Sequence, residues 1–152
     1  MSRVLNRFRM VVLSVVFAAF FSVGAVVAGD AIDSDVVIPV KSLSGKARYF
    51  SATVEGYPLQ LFAVVAPDKT VRVVFNACQA CGVAGFNQKG DAMACSACGQ
   101  AFKLSVLEQQ RGGCNPIPVG EKNRSLNASG DIVIGYDFLK QVKNYFIRKW
   151  PR

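Results

Sequence analysis

The stretch NACQACGVAGFNQKGDAMACSACG, residues 76–99, contains two C-x-x-C-G turns, Cys78-Gln79-Ala80-Cys81-Gly82 and Cys95-Ser96-Ala97-Cys98-Gly99. Thirteen residues separate the pairs, and an aromatic follows each glycine, Phe86 after the first and Phe102 after the second. The segment is a small internal repeat. When the two thiolates of such a turn grip one ion, backbone N–H groups between them aim at the sulfurs. The residue that follows must then adopt a conformation that only glycine takes cheaply. Gly82 and Gly99 stand where that demand falls. Two knuckles facing each other supply four sulfurs around one ion, the tetrahedral arrangement of structural zinc and of a mononuclear iron site. The spacing speaks strongly for a metal and weakly for which one.

A fifth cysteine follows in Gly112-Gly113-Cys114-Asn115-Pro116. A plain zinc ribbon does not require it, and two glycines before it let backbone amides approach a sulfur or a ligand closely. Cys114 reads as a fifth thiolate, an exchangeable ligand at an open position, or a buried free thiol. Cys78, Cys81, Cys95, Cys98 and Cys114 are the candidate metal- and cofactor-binding residues. Met93 is either a soft ligand for copper(I) or packing. Two disulfides plus a free thiol would suit an oxidising compartment, but disulfide frameworks do not call for doubled C-x-x-C-G turns. A thioredoxin-like redox pair would open a helix, and Gly82-Val83-Ala84-Gly85 is a poor helix start.

Upstream, ARYFSATV (47–54), YPLQLFAVVA (57–66) and VRVVFNA (71–77) are rich in branched and aromatic residues and are separated by Glu55-Gly56 and Pro67-Asp68-Lys69-Thr70. They predict a three-strand meander whose last strand runs into Cys78. Downstream, GEKNRSLNASGD (120–131) is a polar surface loop and Ile132–Ile134 a short strand. Tyr136–Trp150 has Phe138, Leu139, Val142, Tyr145 and Phe146 at helical spacing, with Lys140, Lys143, Asn144 and Arg148 mostly on other faces. The expected class is α+β: a small antiparallel β meander, a cysteine-rich double-knuckle (zinc-ribbon-like) metal site and a C-terminal helix. That helix packs on the sheet, or alternatively Lys149, Trp150 and Arg152 touch anionic lipid headgroups.

The 152 residues contain no histidine and carry a formal net charge of +8. That excludes Ser-His and Cys-His nucleophile pairs, His-ligated haem and mixed Cys/His zinc fingers. Arg3, Arg7 and Arg9 precede the uncharged run MVVLSVVFAAFFSVGAVVA, residues 10–28, with no twin-arginine pair. This is an export segment, either a signal peptide cleaved before Gly29 or a single retained membrane anchor. The rest is delivered across the membrane as an unfolded chain, to the periplasmic side of a bacterial envelope. Residues 1–28 are thus the signal or anchor, 29–45 a tether with an extended piece at Val36–Val40, and 46–150 the metal-binding domain. Without the first 28 residues, fifteen basic and ten acidic side chains remain. The basic residues are scattered, so no nucleic acid is expected as a partner.

The run FNACQACGVAGFNQKGDAMACSACGQAFKLSVLEQQRGGCNPIPV, residues 75–119, resembles the FtrD-like membrane iron-sulfur proteins associated with bacterial ferrous iron transport. Cys78 and Cys81 fit the family's first pair, Gly85-Phe86 its Gly-aromatic step, and Gly90-Asp91 its turn. Cys95, Cys98 and Gly99 fit the second pair, Phe102 the aromatic, and Gly112 to Pro116 the Gly-Gly-Cys-Asn-Pro element. The likeness extends more loosely over Ala47–Ala77 and Ile132–Ile134. Phe86 stands where the family often has tyrosine. Larger members carry several membrane spans before this domain and this chain has at most one, so a permease is expected in another polypeptide.

The resemblance implies an iron-sulfur centre or mononuclear iron on the cysteines. It also implies electron transfer or metal handling beside the permease and redox partners of an iron uptake system. A structural four-cysteine zinc ribbon and a periplasmic copper or zinc carrier are the alternatives. Substrate turnover is not expected, since the ten carboxylates are scattered and only Asp91 and Glu108 fall within the cysteine section.

Overall fold

A computed structural model describes residues 30–109 and 112–150. Two short strands, β1 (Ala31–Ile32) and β2 (Val36–Ile38), precede the expected meander of β3 (Arg48–Val54), β4 (Tyr57–Val65) and β5 (Val71–Cys78). Glu55 and Gly56 both have left-handed backbones, with φ of +48° and +76°, and Val54 pairs with Tyr57 across them. Two positive φ values make the two-residue hairpin whose twist matches its strands. The cysteine section adds β6 (Phe86–Lys89), β7 (Ala92–Cys95), β8 (Ala101–Lys103) and β9 (Pro116–Pro118), and the C-terminal part adds β10 (Ser125–Leu126), β11 (Ile132–Ile134) and helix α1 (Tyr136–Lys149).

The central sheet has the order β1-β3-β4-β5-β9, with β1 parallel to β3 and the other neighbours antiparallel. Period-2 alternation sends Phe50, Ala52, Leu59, Leu61, Val73, Phe75 and Ala77 to one face, where Leu139 and Phe146 of α1 and the small sheet β10-β11-β2 cover them. The opposite face carries Phe62, Val64, Val74 and Cys78. There it buries a third sheet, β6-β7-β8, through Phe86, Met93, Cys95 and Phe102. Leu61 to Val64 of β4 are fully buried, as a strand covered on both faces requires. The two aromatics of the repeat meet edge-to-face, Phe86 and Phe102 lying 6.1 Å apart between ring centroids. Cysteines and hydrophobic side chains therefore share one core.

Three expectations change. Residues 29–45 read as a tether, yet β1 pairs with β3 and β2 pairs with β11, and Val36 and Ile38 are buried in the main core. Apolar residues at 36 and 38 suffice for a half-buried strand once a partner strand is present. The extended piece spans Val36–Ile38 and gives way to a 3-10 turn at Val40–Ser42. Second, Lys143 belongs to the buried face of α1, where it pairs with Glu55. Its aliphatic stem covers apolar surface while the ammonium reaches a carboxylate at the hairpin. Third, Arg124 in the polar loop is anchored on the half-buried Glu108, 3.1 Å away, and the same carboxylate accepts from Val73 N–H at 3.1 Å.

Among the described residues no helix is long and apolar enough to cross a membrane. The run 10–28 lies outside them.

Candidate metal centre

The thirteen-residue spacer between the pairs is hairpin arithmetic. Four loop residues leave the first knuckle, β6 takes four, Gly90-Asp91 form the turn, and β7 returns to Cys95. The register sets Phe86 opposite Cys95, and Ser96 N–H donates to Gly85 C=O at 2.9 Å, so the second knuckle is delivered beside the first. Each knuckle closes on its own backbone: Gly82 N–H donates to Cys78 C=O at 2.9 Å and Gly99 N–H to Cys95 C=O at 2.8 Å. Gly82 and Gly99 have φ of +79° and +75°, which meets the expectation drawn from the repeat. Neither pair opens a helix, so the thioredoxin-like arrangement is absent here.

Cys114 arrives by a different route. β9 pairs with β5, Pro116 opposite Cys78, after a register irregularity between Phe75 and Cys78. Gln79 fastens the loop to the first knuckle: its N–H donates to Asn115 C=O at 2.9 Å, and its Oε1 accepts from Gly112 N–H at 2.9 Å. Asn115 is buried, and its Nδ2 donates to Gly112 C=O at 2.9 Å. Asn76 does the equivalent for the loop after Cys81, accepting from Phe86 N–H at 2.7 Å while its amide donates to Gln60 Oε1 at 2.6 Å. Gln79 and Asn76 have no sequence signal beyond adjoining the cysteines, and Asn115 enters the sequence pattern only within the element Gly112 to Pro116.

All five cysteines come together, and all are free thiols. The Sγ atoms of Cys78, Cys81, Cys95 and Cys114 lie within 4.8 Å of one another. Cys114 Sγ stands 3.2 Å from Cys78 Sγ, 3.7 Å from Cys81 Sγ and 2.8 Å from Cys98 Sγ. Four sulfurs each about 2.3 Å from one ion would sit about 3.8 Å apart, so this grouping fits a single tetrahedral ion. Cys98 is exposed and stands beside this group, its Sγ 2.8 Å from that of Cys114. Cys78 and Cys95 are buried while Cys81 and Cys114 are half-buried, leaving the cluster open on one side. Met93 is fully buried among Phe86 and Phe102, which is packing.

Sulfur crowding shapes the acidities. Burial, then the thiols of Cys98, Cys78 and Cys81, push the Cys114 thiol up. For Cys81, a hydrogen bond with Cys114 pulls down, but Cys78, burial, Cys98 and Cys95 outweigh it and push the thiol up to about 12. Burial raises Cys95 as well, yet the N–H groups of Cys98 and Ala97 and the thiols of Cys98 and Cys81 bring it down to about 7. A cation would relieve the crowding by displacing protons, so metal affinity should rise with pH. Titrations between about pH 6 and 8 should show at least about tenfold tighter binding per unit, because the Cys81 proton must leave throughout that range. Affinity independent of pH would mean that Cys81 is no ligand.

Asn76→Ala should lower stability by about 1–2 kcal/mol, read by thermal unfolding, since it strands the N–H of the buried Phe86.

A family model described as membrane iron-sulfur containing protein FtrD-like matches residues 43–146, which includes all five cysteines and every strand from β3 to β11. Neither the curated proteins nor the solved structures compared contain a match. A match over most of the chain, spanning four close sulfurs that could hold a metal and a fifth beside them, identifies the chain as a member of the FtrD-like family of membrane iron-sulfur containing proteins.

Proposed function

We propose that this protein is an exported or membrane-anchored iron-sulfur or iron-binding protein that serves a ferrous iron uptake system by transferring electrons or handling metal. The observation that carries this reading is the convergence of thiols from three chain segments, four of them within 4.8 Å of one another. Cys78, Cys81, Cys95 and Cys114 would hold the metal, with Cys98 at the exposed side. An iron centre there would supply one-electron redox chemistry. The chain's own contribution is threefold. The second glycine turn aims the N–H groups of Ala97 and Cys98 at the Cys95 sulfur, a wall of Phe62, Phe86 and Phe102 keeps water from the buried side, and the open edge admits a partner. N–H groups directed at sulfur offset thiolate charge and raise a reduction potential. The permease and redox partners would be separate polypeptides on the periplasmic side of the envelope, and the excess of basic residues favours acidic ones.

Elemental analysis with visible absorption and electron spin resonance, on protein isolated from its own envelope without added metal, tests this. Iron with thiolate absorption is the expected result. Colourless protein carrying only zinc, or thiols that resist alkylation until reduced, overturns it. The exposed Cys98 also suits a copper or zinc carrier, which would show colourless, exchangeable metal. A closed structural zinc site is less well served by that exposure.

A further inference from the structure

We infer that the face bearing Ile32, Val83, Tyr145, Lys149 and Trp150 rests on an anionic phospholipid bilayer, so that the first cysteine knuckle is held at the membrane surface. The inference rests on residues 10–28 being a retained anchor. β1 begins at Ala31, three residues beyond Ala28. Three extended residues reach only about 10 Å, so an inserted anchor leaves the domain no room to stand away from the lipid.

The point of entry selects the face. Asp30 lines a cavity of about 480 Å³ together with Thr53, Val83, Ala84 and Phe146. Ile32, the cross-strand neighbour of Thr53, is 68% exposed, and Val83, in the loop after Cys81, is 45% exposed. Next to Phe146 stands Trp150, its ring centroid 5.2 Å away, and it packs on Gly82, where a Cβ would meet its ring at 3.3 Å. Lys149 is exposed. Its ammonium lies 5.5 Å from the Tyr145 ring and 5.1 Å from the Trp150 ring, and it donates to Tyr145 OH at 3.0 Å.

Tryptophan and tyrosine with a lysine between them, flanked by exposed aliphatics, is the chemistry of a lipid headgroup interface. Among the described residues, Asp30 is the only carboxylate lining the cavity. Asp33, which follows Ile32, is engaged by Tyr136 OH, Asp35 by Tyr136 N–H and Glu55 by Lys143, so each of these carboxylates is held by the domain's own donors. Held this way, the half-buried Cys81 sits within reach of a protein embedded in the same membrane.

Trp150 is the only tryptophan in the chain, so its emission reports this face alone. The full chain, as isolated, is placed in nanodiscs of phosphatidylcholine and phosphatidylglycerol, with or without bromine on the acyl chains near the headgroups. The ratio of the two emissions cancels any quenching by bound metal. Strong quenching by brominated lipid is expected. Equal emission, with the chain still in the discs, overturns the face while leaving the anchor intact, and assigns the patch to a protein partner. If mass spectrometry shows that residues 1–28 have been removed, the anchor reading fails, and sedimentation with phosphatidylglycerol vesicles decides the face: protein left in the supernatant overturns it. Lys149→Glu should weaken vesicle binding by more than about fivefold, with the visible spectrum unchanged.

Discussion

Cys114→Ser protein is expected to lose about 100-fold in metal affinity, whereas Cys98→Ser should lose no more than about tenfold. Cys114 belongs to the group of four sulfurs within 4.8 Å of one another and touches Cys78, Cys81 and Cys98, while Cys98 stands on the exposed side. Removing a sulfur from that group leaves three protein ligands and an open coordination position. Removing the exposed one leaves the group complete. Competition against a chromophoric chelator reads both affinities, and unfolding of the metal-free forms separates a lost ligand from a lost fold. Equal losses, or a greater loss at Cys98, would restore the simpler arrangement of two C-x-x-C pairs around one ion with Cys114 as a bystander.

Gly82→Val should destabilise the protein by about 3 kcal/mol, and Gly99→Val by about half as much. Both glycines have left-handed backbones, which cost an L-residue about 1–2 kcal/mol, more when it is β-branched. At Gly99 nothing lies within 4 Å of an added Cβ, so the backbone term stands alone. At Gly82 the added atom would come within 3.3 Å of Trp150 Cγ and Cδ1 and push the indole off the knuckle. Trp150 contacts Phe146 and Tyr145, so the disturbance passes into the end of α1. Thermal unfolding should show Gly82→Val melting roughly 10 °C below the parent. A cycle with Trp150→Ala isolates the contact: with the indole gone, the two glycine substitutions should cost the same. If they already cost the same with Trp150 present, the ring does not support the knuckle.

Much of the fold was legible because its causes are local. Branched and aromatic runs interrupted by Glu55-Gly56 and by Pro67–Thr70 can only alternate in and out of a sheet, and the meander follows them. The apolar stripe on α1 placed Leu139 and Phe146 inward, but charge type misassigned Lys143, whose pairing with Glu55 depends on a hairpin far away in sequence. The export segment expected at residues 10–28 lies outside the described residues.

What the sequence determined by itself is the chemistry of the centre and the shape of each hook. Both positive-φ glycines are written locally, and so is the thirteen-residue return that brings one pair back to the other, because turns and register need only near neighbours. Tertiary structure alone decided which sulfurs stand together. The pairing of β9 with β5, fixed by Gln79 and Asn115, carries Cys114 into the cluster, against Cys78, Cys81 and the exposed Cys98. That choice depends on long-range strand pairing, whose energy comes from burying the whole second core, and no spacing between cysteines encodes it.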